Sequence, residues 1–274
     1  MLSVRSVAKK INMNHLLSAL WAETLKARRS KVPLLASVGF TLAPLMDGLF
    51  MFIMKDPERA REMGLLSVKA QLAMSTAEWP TFFSVLSQAI AIGGVIVFSI
   101  VTAWIFGREF SDHTAKDLMA LPTSREKIVT AKLVVISAWA FATSIWIYSI
   151  GLLVGNLIDI PGWTNQLAWQ SFGDVLATAA MTLLLMTPVA FIASMGRGYL
   201  PPLGWAVLTI FFSQIIAATG WGDWFPWSVP ALYSGVVGLR SEQLGLHSYI
   251  LVVLAGLIGL FLTFWWWRNA DQTK

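Results

Sequence analysis

Few residues in this chain could do covalent chemistry, and they are scattered. His15, His113 and His247 are expected on a cytoplasmic helix, a cytoplasmic loop and an outer loop of a chain without cysteine, so they are not expected to share a metal. No Gly-x-Ser-x-Gly nucleophile elbow and no His-Glu-x-x-His pair occurs. Gly-x4-Gly-Lys-Ser/Thr, whose backbone cradles nucleotide phosphates, is also absent, so any use of ATP would fall to a partner. The expectation is a chain with no catalytic residue, metal or cofactor of its own. Asp47 is a candidate pathway residue, because a carboxylate deep in lipid costs roughly 2.5 to 3.5 kcal/mol and must face protein or water. The simpler account is a protonated or hydrogen-bonded acid beside the proline kink at Pro44. The most suggestive stretch runs from Gly107 to Lys132, where Ala115, Leu118, Met119 and Leu121 would give an apolar edge to a short charged helix broken at Pro122. That shape suits a groove in another protein; the alternative is a solvated charged loop.

The elements that must position this stretch follow from composition. Of 274 residues, 56% are hydrophobic and 13% charged, about half the charged share of an average soluble protein. Six apolar runs, at 33–54, 82–106, 133–155, 175–195, 199–219 and 248–267, are each long enough to cross a hydrocarbon layer of about 30 Å as a helix. Helices satisfy their own backbone groups, and no alternating pattern suggests a barrel. The fold class expected is an all-α integral membrane protein of six transmembrane helices.

Fifteen of the 20 Lys and Arg fall on one set of loops and ends, which predicts cytoplasmic termini. The formal charge of +5 then reports topology and attraction to anionic lipid rather than to nucleic acid, for which no motif is present. No signal peptide is expected, since residues 1–31 are polar and amphipathic. Residues 1–12 read as a charged tail without helical periodicity. In 14–31, Leu16, Leu17, Leu20, Trp21 and Leu25 make an apolar stripe, and Glu23, Lys26, Arg28, Arg29 and Lys31 take the other side. That is an interfacial helix with its basic end placed to suit the helix dipole and the headgroups.

The first outer loop, 55–81, contains a soft amphipathic piece at 65–74. Asp174 is expected to open the fourth span as a helix N-terminal carboxylate. The three-residue turn 196–198 makes the fourth and fifth spans antiparallel neighbours. The last outer segment, 220–247, combines Trp221, Trp224, Phe225, Pro226, Trp227 and Pro230 with an apolar piece, 231–238, too short to cross. Such a segment lies in the interface or dips in and returns. Trp265, Trp266 and Trp267 at one end, and Trp163, Trp169, Trp221, Trp224 and Trp227 at the other, are expected as interfacial belts.

In order and spacing these residues resemble the permease subunits of ATP-binding-cassette exporters of the ABC-2 type. Trp21-Ala22-Glu23-Thr24-Leu25-Lys26-Ala27-Arg28-Arg29 is similar to that family's N-terminal connecting helix, Glu-x-x-Lys-x-x-Arg. Glu109, Thr114, Leu118, Pro122, Ser124 and Arg125 are similar to its cytoplasmic loop between the second and third spans. Phe225-Pro226-Trp227 with Pro230 is similar to its re-entrant outer segment.

The resemblance implies a single transmembrane domain over 1–274, with a tail and connecting helix at 1–32, a six-span core at 33–267 and a tail at 268–274. It implies an inner-membrane location and a coupling helix seated in an ATPase subunit that binds ATP and Mg. It also implies a permease homodimer or a pair with a close paralogue. Glu109 and Arg125 would make charged contacts at the ends of the coupling segment, Leu118 would anchor it, and Pro122 would end its helix. Sparse intramembrane charge favours a hydrophobic or amphipathic cargo. A secondary transporter needing no ATPase, and a membrane scaffold or sensor, stay open as alternatives.

Overall fold

The computed structural model describes residues 4–55, 77–114, 117–118, 122–235 and 244–269, with side chains from residue 15 onward. The loop piece expected at 65–74 lies outside the described residues. Helix α1, Val4–Arg29, contains no proline or glycine and runs unbroken through the stretch expected to be a tail. It ends where Ser30 caps the next helix, its Oγ accepting from the Val32 N–H at 3.1 Å.

Six helical segments are long and apolar enough to cross a membrane. The first span is two helices, α2 (Lys31–Phe40) and α3 (Leu42–Lys55). Their break at Thr41 precedes Pro44, which lacks an N–H and crowds the preceding turn. The second span runs α4 (Trp79–Gln88), a π-helical turn (Ala89–Gly93) and α5 (Gly94–Ser111). The third is the unbroken α6 (Arg125–Ile158). The fourth is α7 (Asn165–Leu184) and α8 (Thr187–Met195), broken ahead of Pro188. The fifth is α9 (Leu200–Ala218) and the sixth α11 (Leu246–Asn269).

The fourth span thus begins ten residues earlier than its apolar run, and Thr164 is its N-cap, the Oγ1 accepting from the Leu167 N–H at 3.1 Å. Asp174 is not a helix-start residue. It lies within α7 and accepts the Tyr233 O–H at 2.9 Å.

The second span is the hub: 61% of its apolar stretch is buried, against 22% for the fifth and 28% for the first and sixth. Around its N-terminal half lie Trp79, Phe82, Phe83, Leu86 and Ile90, with Phe83 stacked on Tyr148. Around its C-terminal half lie Val101, Ile105 and Phe106 with Ile128, Val129 and Ile136. Large apolar side chains on the outward faces, such as Leu153, Leu208 and Phe261, are exposed, as suits contact with lipid.

Trp266 and Trp267 correct the belt expectation. Trp267 is buried, with its indole donating to Ser194 Oγ at 2.9 Å and its ring edge-on to Phe106. Trp265 is exposed, as are Trp163, Trp169, Trp221 and Trp224.

The break in the fourth span lets the sixth come close. Thr187 Oγ1 donates to the Gly256 carbonyl at 2.7 Å, and a Cβ at Gly259 would stand 2.4 Å from the Pro188 nitrogen, which is backbone and cannot give way. Gly259→Val is therefore expected to lower stability by about 1–3 kcal/mol, the usual cost of overpacking. Thermal unfolding in detergent checks this, and an unchanged melting temperature would show that the helices part freely.

The segment after the fifth span forms two 3₁₀ turns, Gly222–Trp224 and Pro226–Ser228, and then α10 (Val229–Tyr233). Pro230 is buried, and Ser228 Oγ donates to the Ser213 carbonyl at 3.1 Å. Trp227 reaches Trp205, five residues inside the far end of α9, with ring centroids 5.8 Å apart. A chain that leaves α9 at Ala218 and places a ring beside Trp205 has dipped back along most of that helix. Pro226, Trp227 and Pro230 all belong to this returning segment.

Candidate functional site: a charged latch beneath the loop

Four ionisable side chains meet where α1, α5 and α6 converge. Lys132 Nζ donates to Glu109 Oε1 at 2.6 Å, to the Ile105 carbonyl at 2.8 Å and to Glu23 Oε2 at 3.3 Å. Lys26 Nζ donates to Glu23 Oε1 at 2.7 Å and to Glu109 Oε1 at 3.1 Å. Helical geometry sets this up: Glu23 and Lys26 stand one turn apart on α1, and Glu109 and Lys132 sit near the two helix ends flanking the loop.

Burial gives the cluster its weight. Lys132 is 0% exposed and Glu109 3%, so each charge relies on its neighbours rather than on water. Two acids and two bases make the group neutral. Burial by itself would pull Lys26 down, but Glu23 and Glu109 outweigh it and hold the ammonium above its ordinary 10.5. A lysine raised in this way contributes stability in full below about pH 10.5 and loses it only as pH climbs through the folded value. Lys26 therefore stays charged throughout the physiological range.

This placement revises the expected contacts of Glu109. Its carboxylate faces inward to Lys132 and Lys26, so it cannot also lie on an outside surface. Glu23, expected on the polar side of α1, is likewise buried, whereas Trp21 is 69% exposed and Arg28 is exposed.

Above the latch the chain turns sharply. His113 takes a left-handed φ of 57°, and the Thr114 N–H returns to the Glu109 carbonyl at 2.9 Å. Leu118 donates its N–H to the Thr114 carbonyl, and its half-buried side chain packs on the inner core. Pro122 is exposed in a bend ahead of α6. Arg125 Nη1 donates to the Trp267 carbonyl at 3.2 Å, tying the other root of the loop to the sixth span. Ala115, Met119 and Leu121, the rest of the expected apolar edge, lie outside the described residues.

Asp47 is buried in the opposite half of the first span, and neither carboxylate oxygen has a partner among the described residues. The hydrogen-bonded account of it therefore finds no acceptor or donor there.

By sequence Lys132 is one more basic residue of the loop, yet the structure buries it completely. The available signal was a lysine directly abutting an apolar run, where an ammonium demands a partner.

Fold and site together define a polytopic α-helical membrane protein in which one loop is braced from beneath by buried charge. Residues 19–213 match the family described as ABC-2 family transporter protein, and the chain belongs to that family. A protein of Bacillus licheniformis, described as bacitracin transport permease protein BCRB, is 25% identical over 179 residues, which is 65% of this chain and 85% of that protein. No solved structure matches the chain.

Proposed function

We propose that this chain is the membrane-spanning subunit of an ATP-driven exporter in the inner (plasma) membrane, with both termini cytoplasmic. A separate ATPase subunit binds ATP and Mg, and two permeases, identical or closely related, form the pathway. The loop from Asp112 to Ser124 docks on the ATPase. Motion of that loop passes through Glu109 and Lys132 to α1 and the second and third spans, which tilt as rigid bodies. Membership of the ABC-2 family supports the transporter role.

The observation that carries the coupling reading is the buried latch at the root of the loop. A solvated loop with no mechanical task would not need two desolvated ion pairs beneath it. The relative's name gives bacitracin as its cargo, and a hydrophobic or amphipathic cargo such as a peptide antibiotic or drug suits spans that carry little charge.

The test is co-expression with the P-loop ATPase encoded nearest the chain. Leu118→Asp and Asp117→Arg each alter the loop above the latch, and each is expected to reduce the co-purified ATPase by at least about tenfold, as loss of an interface anchor does. Asp117 is exposed, so its variant decides the matter even where Leu118→Asp disturbs the core. Undiminished ATPase with Asp117→Arg and Leu118→Asp would overturn the docking reading.

A further inference from the structure

Beside the latch, α1 stands away from the inner ends of the second and fifth spans and leaves a cleft of about 600 Å³, the size of a small-ligand site. Its walls are of two kinds. Trp21, Leu25 and Trp104 are apolar, and Trp21 is largely exposed. Arg29 and Arg108 line the same space, together with Ser30 and Tyr199.

The charges are not already spent. Lys26 is committed to Glu23 and Glu109. Arg108 lies 5.4 Å over the Trp104 ring and donates through Nε to Asp112 at 3.1 Å, which fixes its plane and leaves its terminal nitrogens without a carboxylate partner among the described residues. Arg29 has no ion pair among the described residues. Two arginines against one aspartate leave a net positive cleft.

Position selects the ligand. The cleft sits where Ser30 opens the first span and Tyr199 precedes the fifth, which is the depth of the headgroups. Arginine presents paired N–H donors that match phosphate oxygens two at a time. Basic pockets between membrane helices at this depth take anionic headgroups, and aromatic walls suit the glycerol and upper acyl region.

We infer that this cleft binds the phosphate headgroup of an anionic membrane phospholipid, held by Arg29 and Arg108 with its glycerol end against Trp21 and Trp104. The lipid would fill the gap between α1 and the spans, so that the connecting helix is braced on one side by the latch and on the other by lipid. This reading stands independently of the ATPase.

The test uses the full chain, purified in a neutral detergent and titrated with phosphatidylglycerol, phosphatidylcholine or inorganic phosphate. Bound lipid is counted by native mass spectrometry. Phosphatidylglycerol is expected to bind well ahead of phosphatidylcholine, and R29Q/R108Q to lose that preference by about 30-fold, the product of two arginine contributions near a lipid surface. R29Q by itself, at an exposed position without a protein ion pair among the described residues, is expected to lose roughly fivefold while melting like the parent chain in lipid-free detergent. Equal retention of the two lipids, or unchanged binding in both variants, would overturn the proposal. Inorganic phosphate competing as well as phosphatidylglycerol would also overturn it, in favour of a free-phosphate site.

Discussion

Lys132→Met will destabilise the folded chain by about 3–5 kcal/mol, the range for breaking a buried ion pair by removing one partner. The wild-type cluster is neutral, with Glu23 and Glu109 against Lys26 and Lys132. Methionine fills a similar volume, so the cavity contribution is small and the loss is electrostatic. What remains is Lys26 facing two carboxylates, one of them on a residue 3% exposed. Water cannot reach Glu109 to compensate. The Ile105 carbonyl also loses the ammonium that it accepts from at 2.8 Å.

Thermal or denaturant unfolding in detergent measures the effect. Adding Glu109→Gln removes the stranded charge, leaves Glu23 and Lys26 as a neutral pair on one helix, and should recover most of the loss. A Lys132→Met chain as stable as the parent would mean that the site is hydrated and that the latch is not a buried charge cluster.

The six spans were legible because lipid imposes a coarse rule, some twenty apolar residues per crossing. Glu109 and Arg125 stood out only through the resemblance to the ABC-2 permeases. The partners were harder to see. Lys132 pairs with residues 23 and 109 positions distant along the chain, and no local periodicity brings three helices together. The same cause explains Trp267: an aromatic beside Arg268 looks like a belt residue until the fourth span's Ser194 is found next to its indole. Asp174 misled in the other direction. The polar first turns of α7 resemble a loop in hydropathy, but Thr164 caps the helix ten residues upstream. Hydropathy locates what lies in lipid, whereas a helix begins where its first N–H groups find an acceptor.

Stability and transmission should be separable at the latch, and the double variant E109Q/K132M tests this. A buried ion pair replaced by neutral groups of similar size is often neutral or stabilising, so this chain should fold and insert, and under the proposed function it should retain the ATPase through an unaltered loop. What it lacks is a charged link between α5 and α6 that resists relative displacement. In proteoliposomes carrying the proposed ATPase partner, the ratio of cargo moved to ATP hydrolysed is expected to fall by at least about tenfold, equivalent to roughly 1.4 kcal/mol of coupling. ATP hydrolysis itself should continue. A normal ratio in a chain without the two charges would show that motion travels by another route, through Arg125 and the end of the sixth span, and that the latch serves the fold alone.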